Sequence, residues 1–115
     1  MKANKPLLPS LKEKKRYMVF EIISEKKIPE KKIYKKILDS FEKLFGSIGL
    51  GRAGIVVLKE NFNKDLKRGM IRVNHKFVDQ VRFSLSIIKK IDNIKVIINC
   101  IGVSGMIKKA KSRYL

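Results

Sequence analysis

The chain has 115 residues, of which 44% are hydrophobic, and its 28 Lys and Arg against 10 Asp and Glu leave a formal charge of +18. That length and apolar content suit one packed domain and exclude a wholly disordered basic tail. No run reaches the ~20 apolar residues of a membrane-spanning helix, and Met1 to Ser10 has no apolar core of a secretory signal.

Residues 1–16 read as a basic arm, with Lys2, Lys5, Lys12, Lys14, Lys15 and Arg16 against the single acid Glu13. Pro6 and Pro9 oppose helix there. Tyr17 to Ser24 is rich in β-branched and aromatic residues and predicts a strand. Its Met18, Phe20 and Ile22 set is uniformly apolar and faces the core. Pro29 suits a first helical position, and Ile33, Ile37, Phe41, Leu44, Phe45 and Ile48 recur at steps of three and four as an apolar stripe. Gly46 ends this helix, which leaves Gly46 to Gly54 either as a flexible connector or as a pliant loop on which Arg52 touches a phosphate. The G-x-G-x-x-G at Gly49, Gly51 and Gly54 is not a dinucleotide fingerprint, because it follows a helix and leads into a strand.

Ile55 to Asn61 predicts a second strand, Asn63-Lys64-Asp65 a turn, and Met70 to Asn74 the third strand of a hairpin. Asn74 caps a second helix with the stripe Val78, Val81, Leu85 and Ile88. Lys89 and Lys90 occupy its last turn, and Asp92-Asn93 ends it. Ile94 to Val103 predicts a fourth strand, largely buried. Ser104-Gly105 turns the chain into a short basic helix or tail, Met106 to Arg113.

The order βαββαβ predicts an α+β, ferredoxin-like sandwich: an antiparallel sheet with two helices on one face. The domain spans residues 17–103, between the arm 1–16 and a basic C-terminal segment 104–115. The other sheet face carries Tyr17, Val19, Ile23, Ile97, Ile101 and Val103. That set is too apolar for a wet surface, so a protein partner or the folded-back terminal segments must cover it.

A charge of +18 on a compact body is self-repulsive unless a polyanion offsets it. Nucleic acid is the commonest cellular polyanion, and pairing phosphates with Lys and Arg releases condensed counterions. Both chain ends are basic: no acid follows Asp92, whereas Lys95, Lys108, Lys109, Lys111 and Arg113 do. Catalytic signatures are missing. His75 stands alone and reads as a capping or surface residue, while Glu42, Glu60, Asp65 and Asp79 fall on different elements. The lone Cys100, inside an apolar run, reads as a small buried hydrophobe in a reducing, cytoplasmic setting. An RNA-recognition motif would need stacking aromatics where Lys67 to Asn74 stands, and none is there. Phosphate contacts with structured RNA are the expected mode.

Four segments carry a resemblance: LPSLKEKKRYMVFEI (Leu8 to Ile22), GMIRVNH (Gly69 to His75), DQVRFSL (Asp79 to Leu85) and VSGMIKKA (Val103 to Ala110). In this order they are similar to the ribonuclease P protein component 2 family, of archaeal and eukaryotic type. The resemblance implies a non-catalytic subunit of the ribonucleoprotein that removes 5′ leaders from precursor tRNA. It places the active site and its Mg²⁺ in the RNA, with no cofactor on this chain. Implied partners are the ribonuclease P RNA, ribonuclease P protein component 3, other protein subunits and a second copy of this subunit. By position, it makes Lys14-Lys15-Arg16-Tyr17 and the Ser104-Gly105 turn with Lys108 and Lys109 face RNA, and it matches Arg72 and Arg82 to basic positions. With Lys12, Arg52 and Arg113 these complete the candidate RNA-binding set; Tyr17, Val19, Ile23, Ile97 and Ile101 form the candidate protein-partner set. The family often has Arg where Lys12 stands and Thr where Met106 stands. A ribosomal or general structured-RNA-binding protein is the alternative expectation.

Overall fold

Alternation along the first strand sets the layers. The computed structural model describes residues 14–115, so Lys12 and the rest of the arm up to residue 13 lie outside the described residues. β1 (Lys15–Ser24) leads to α1 (Glu30–Ala53), β2 (Val56–Val57), β3 (Arg68–Asn74) and α2 (Val78–Ser86). β4 (Lys90–Ile91), β5 (Ile94–Ser104) and α3 (Ile107–Tyr114) follow. The antiparallel sheet has the order β2-β3-β1-β5-β4, which is the expected ferredoxin-like arrangement with one short strand added at an edge. Met18, Phe20 and Ile22 of β1 are buried with Ile71, Val73, Val96 and Ile98 of its neighbours. α1 and α2 close this face with Ile33, Tyr34, Ile37, Phe41, Val81 and Leu85. Each such burial contributes roughly 1.5–3 kcal/mol, and the core is therefore the main source of stability.

Several boundaries differ from expectation, each for a local reason. Gly46 does not end α1. It adopts φ 77° and ψ 173°, kinks the helix, and the chain resumes helical form up to the left-handed cap Gly54 at φ 60°. The Gly46 to Gly54 segment is thus a helical turn rather than a connector, and Arg52 sits in its last turn. Leu44, Phe45 and Ile48, on either side of the kink, are exposed instead of extending the core stripe. β2 shrinks to Val56–Val57, because Lys59–Asn61 form a 3₁₀ turn. α2 ends at Ser86, and Lys90-Ile91 pair instead with Ile94-Lys95. Asp92 and Asn93 have φ 49° and 66°, the positive pair that a two-residue hairpin turn requires.

A β-bulge shifts the register between Val19 and Phe20, which face Gly102 and Cys100 of β5. The additional residue, Ile101, reverses the alternation. Val103 consequently joins the helix-covered core, contrary to its expected place on the open face.

The far face of the sheet is covered by α3. Val19, Met70 and Ala110 are fully buried there, flanked by Tyr17, Leu58, Ile101, Ile107 and Tyr114. Arg68 donates from Nη1 to the Tyr114 carbonyl at 2.9 Å and from Nε to Glu21 Oε2 at 3.1 Å. Asn63 donates to the Leu115 carbonyl at 3.2 Å. These donors satisfy carbonyls that a helix C-terminus leaves free, and the guanidinium suits the negative end of its dipole.

Tyr34 of α1 is clasped edge-on by Phe20 and Phe62, with ring centroids 5.8 and 6.3 Å away. Burial pushes its hydroxyl up to about 12, against a smaller downward pull from the Met70 backbone. The unfolded chain ionises this group near pH 10, so its stabilising effect is whole below pH 10 and is lost as pH rises through 12. Tyr34→Phe should flatten that alkaline decline by on the order of 2 kcal/mol at pH 12, read from urea midpoints. Parallel pH profiles for the two proteins would contradict it.

Candidate nucleic-acid interface

The central strand carries its basic start to one end of the sheet. β1 lies between β3 and β5: Lys15 and Arg16 pair with Asn74 and Val73 of β3, and pairing with β5 begins at Tyr17. Tyr17 faces Arg72 on one neighbour and Ser104 on the other. The His75 N–H donates to the Lys14 carbonyl at 2.9 Å, which fixes the residue where the described chain begins. At the same end α1 finishes: a methyl group added at Gly54 would lie 3.7 Å from Lys15 Nζ. The ammonium thus sits beside the negative end of the α1 dipole, near Arg52 in the last turn. Across the sheet, a methyl group at Gly105 would lie 3.7 Å from Arg16 Nη1. The Ser104 hydroxyl accepts from the Met106 N–H at 3.1 Å and shapes the turn into α3, whose first turns expose Lys108 and Lys109.

One sheet end therefore gathers Lys14, Lys15, Arg16, Arg52, Arg72, Lys108 and Lys109. None of them is paired with an acid among the described residues, where the ion pairs are Lys32–Asp92, Arg68–Glu21 and Arg82–Asp79. Arg72 is notable because its Nε is buried without a hydrogen-bond partner. A guanidinium N–H buried without an acceptor carries a desolvation cost. Lys76, in the 3₁₀ turn His75–Phe77 between β3 and α2, is exposed at this end as well. Sequence reading missed it, although the Asn74 cap that accepts from its N–H was legible. Two candidates fall elsewhere. Arg82 lies on the outer surface of α2, 3.8 Å from Asp79, and Arg113 is exposed in the last turn of α3.

The partner set divides too. Val19 is fully buried and Ile101 and Tyr17 half-buried beneath α3, so none is an open apolar surface; the folded-back C-terminal segment covers them. Ile23 and Ile97, directly opposite each other on β1 and β5, are 50% and 55% exposed. α3 also occupies the face on which an RNA-recognition motif stacks bases. Arg68, in the basic lead of that segment, anchors α3 instead of facing outward. Among the described residues no three His, Cys, Asp or Glu side chains gather as metal ligands, and no helix is long and apolar enough to cross a membrane.

The sequence pattern of the Rpp14/Pop5 family matches residues 16–115. The chain is 34% identical to ribonuclease P protein component 2 of Thermococcus kodakarensis over 111 residues, 96% of this chain and 91% of that one. Identity is 36% to the proteins of the same description from Methanosarcina mazei and Archaeoglobus fulgidus, covering 96% of this chain and 92% and 97% of theirs. A chain in a cryo-EM structure of yeast ribonuclease MRP shares the fold, with a TM-score of 0.63 and 19% identity, over 81% of this chain and 75% of that chain. With its sheet order, its covering helix and all but the first 15 residues inside one family pattern, this chain belongs to the Rpp14/Pop5 family.

Proposed function

We propose that this chain is an RNA-binding, non-catalytic protein subunit of ribonuclease P, which supports the catalytic RNA as it removes 5′ leaders from precursor tRNA. Membership of a family whose archaeal relatives are ribonuclease P protein components supports the assembly. The observation that carries the mechanism is the sheet end at which seven cations, Arg72 among them, stand without acidic partners. There Lys14, Lys15, Arg16 and Arg72 contact phosphates on a rigid strand framework, while Arg52, Lys108 and Lys109 extend the positive surface. Arg82 and Arg113 reach further RNA strands from α2 and α3, and Lys12 continues the basic run in sequence.

Such contacts screen repulsion between closely packed RNA helices and hold the catalytic RNA in its active form. Mg²⁺ belongs to the RNA, where it supplies the charge stabilisation and activated water of phosphodiester cleavage. Protein component 3 docks on the remaining apolar surface that includes Ile23 and Ile97, other subunits and a second copy complete the assembly, and the setting is cytoplasmic. In a reconstitution, the chain with component 3 should lower the Mg²⁺ needed by the RNA for half-maximal cleavage and raise the cleavage rate, while the chain alone cleaves nothing. Unchanged cleavage across Mg²⁺ concentrations, or equal affinity for an unrelated structured RNA, would sink this reading.

A further inference from the structure

The other end of the sheet holds a second feature that the phosphate contacts do not use. β1 runs ten residues from Lys15 to Ser24, about 30 Å at ~3.3 Å per residue. At its far end opens a cleft of about 480 Å³ between the end of β1, the start of α1 and the turn before β3. That volume lies in the range of small-molecule and nucleotide sites, roughly 300–1,000 Å³. Ile22, Ile28 and Phe62 form an apolar floor, and Lys27, Lys31, Lys64 and Lys67 form the rim, with Glu30 the one acid among the lining residues. The Phe62 ring is fixed by its edge contact with Tyr34, 6.3 Å between centroids. Lys67 Nζ donates to the Ser24 carbonyl at 3.4 Å, which holds that ammonium across the opening. None of the four lysines is paired with an acid among the described residues.

An apolar slot with one rigid aromatic and a cationic rim suits a flat apolar body joined to an anion. A buried aliphatic ligand would not need the lysines, and a bare phosphate would not need the floor. We propose that this cleft takes a single unpaired nucleotide of the bound RNA, its base against Phe62 and its flanking phosphates on Lys31, Lys64 and Lys67. The inference rests on the RNA-binding reading above and adds a different contact to it: recognition of an unstacked base, where the opposite sheet end meets phosphates alone. An RNA strand that leaves its stack about 30 Å from a contact at Lys15 would engage both ends of β1. An acidic, aromatic peptide would share the chemistry. RNA is favoured because β1 presents cations without acidic partners at its opposite end, and because Lys90 and Lys95 of the β4–β5 hairpin add positive charge at the cleft end, Lys95 preceding Val96, the partner of Ser24.

The test uses the full chain and two RNA hairpins of identical stem, one fully paired and one with a single unpaired 2-aminopurine. The unpaired form should bind about tenfold more tightly, at the lower end of what base–aromatic stacking supplies. Its 2-aminopurine emission should rise as the base leaves the stack. Lys31→Glu with Lys64→Glu, both at exposed positions, should bring the preference to about one while paired-hairpin binding survives. Phe62→Ala should also abolish the preference and Phe62→Tyr should keep it, so a folding defect in one variant leaves the other readouts. Equal affinity of the native chain for the two hairpins overturns the cleft proposal alone, as does a preference that persists in the double lysine variant. Saturable binding of an acidic, aromatic peptide, blocked by Lys31→Glu with Lys64→Glu, with no hairpin preference, also overturns it. Failure to bind either hairpin overturns the phosphate-binding reading as well.

Discussion

Reversal of Lys14, Lys15 and Arg16 to glutamate should lower affinity for the ribonuclease P RNA by on the order of 100-fold at 0.15 M salt and reduce the salt slope by about three. The expectation follows from where β1 begins. Pairing of Lys15 and Arg16 with β3, and the His75 N–H on the Lys14 carbonyl, keep these three cations at one sheet end, so their ordering cost is met by the fold and not by the RNA. No acid competes for them among the described residues. Folding should suffer little. Lys14 is exposed, Lys15 and Arg16 are half-buried, and a carboxylate at position 15 opposes the α1 dipole for only about 0.3–1 kcal/mol. The control is an equal charge change on the exposed helix-layer positions Lys35, Lys43 and Lys89. That triple should cost less than about tenfold and move the slope by less than one. If both triples weaken binding alike, bulk charge and not the sheet end carries the interaction. Filter binding across a salt series, with thermal melts of each protein, measures all of this.

The layers were legible because periodicity reports burial. Met18, Phe20 and Ile22 declared the core side of β1, and Val78, Val81 and Leu85 declared the inner face of α2. Boundaries were harder wherever one residue changes the period. Gly46 reads as a helix end, since sequence alone does not distinguish a stop from a kink that tertiary packing then continues. The bulge opposite Val19 inverts the expected side of Val103. Asp92-Asn93 between Ile91 and Ile94 is a two-residue hairpin signal in its own right, but the stripe up to Ile88 and the basic Lys89 and Lys90 fit a helix terminus equally well. Of the candidate site, the basic ends were visible as composition. What composition could not supply was convergence: Arg52, Arg72 and Lys108 are far apart in sequence and meet only through strand order. Nor could it reveal that Arg68 is occupied by the end of α3, or that Lys31, Lys64 and Lys67 surround one cleft.

Gly102 is the position whose smallest change should reach furthest. A glycine inside an apolar strand marks a bulge or a close approach, and here it is both. A Cβ at this point would stand 2.0 Å from Tyr114 Cζ and 2.3–2.4 Å from the two adjoining ring carbons, so the ring or the strand must move. β5 is tied to β1 over most of its length, whereas Tyr114 sits in the last turn of α3, so the ring is the part that yields. Its displacement pulls the Tyr114 carbonyl from Arg68 and loosens the cover over Val19 and Met70. Gly102→Ala should therefore cost roughly 1–3 kcal/mol, as overpacking does, and Tyr114→Ala about 2–4 kcal/mol by leaving a gap over the bulge. The two should not add. Once the ring is gone, a methyl group at position 102 meets open space, and most of the Gly102→Ala cost should vanish in the double variant. Urea unfolding of the four proteins of this cycle measures the coupling, and simple additivity would show that the ring does not brace the strand. The same displacement has a functional reading. Lys108 and Lys109 take their places from α3, so Gly102→Ala should weaken RNA binding several-fold although residue 102 itself lies beneath the Tyr114 ring. Hydrogen exchange at Val19 and Met70 should quicken in step with that loss, because one event, the release of α3, opens the sheet and moves the two lysines.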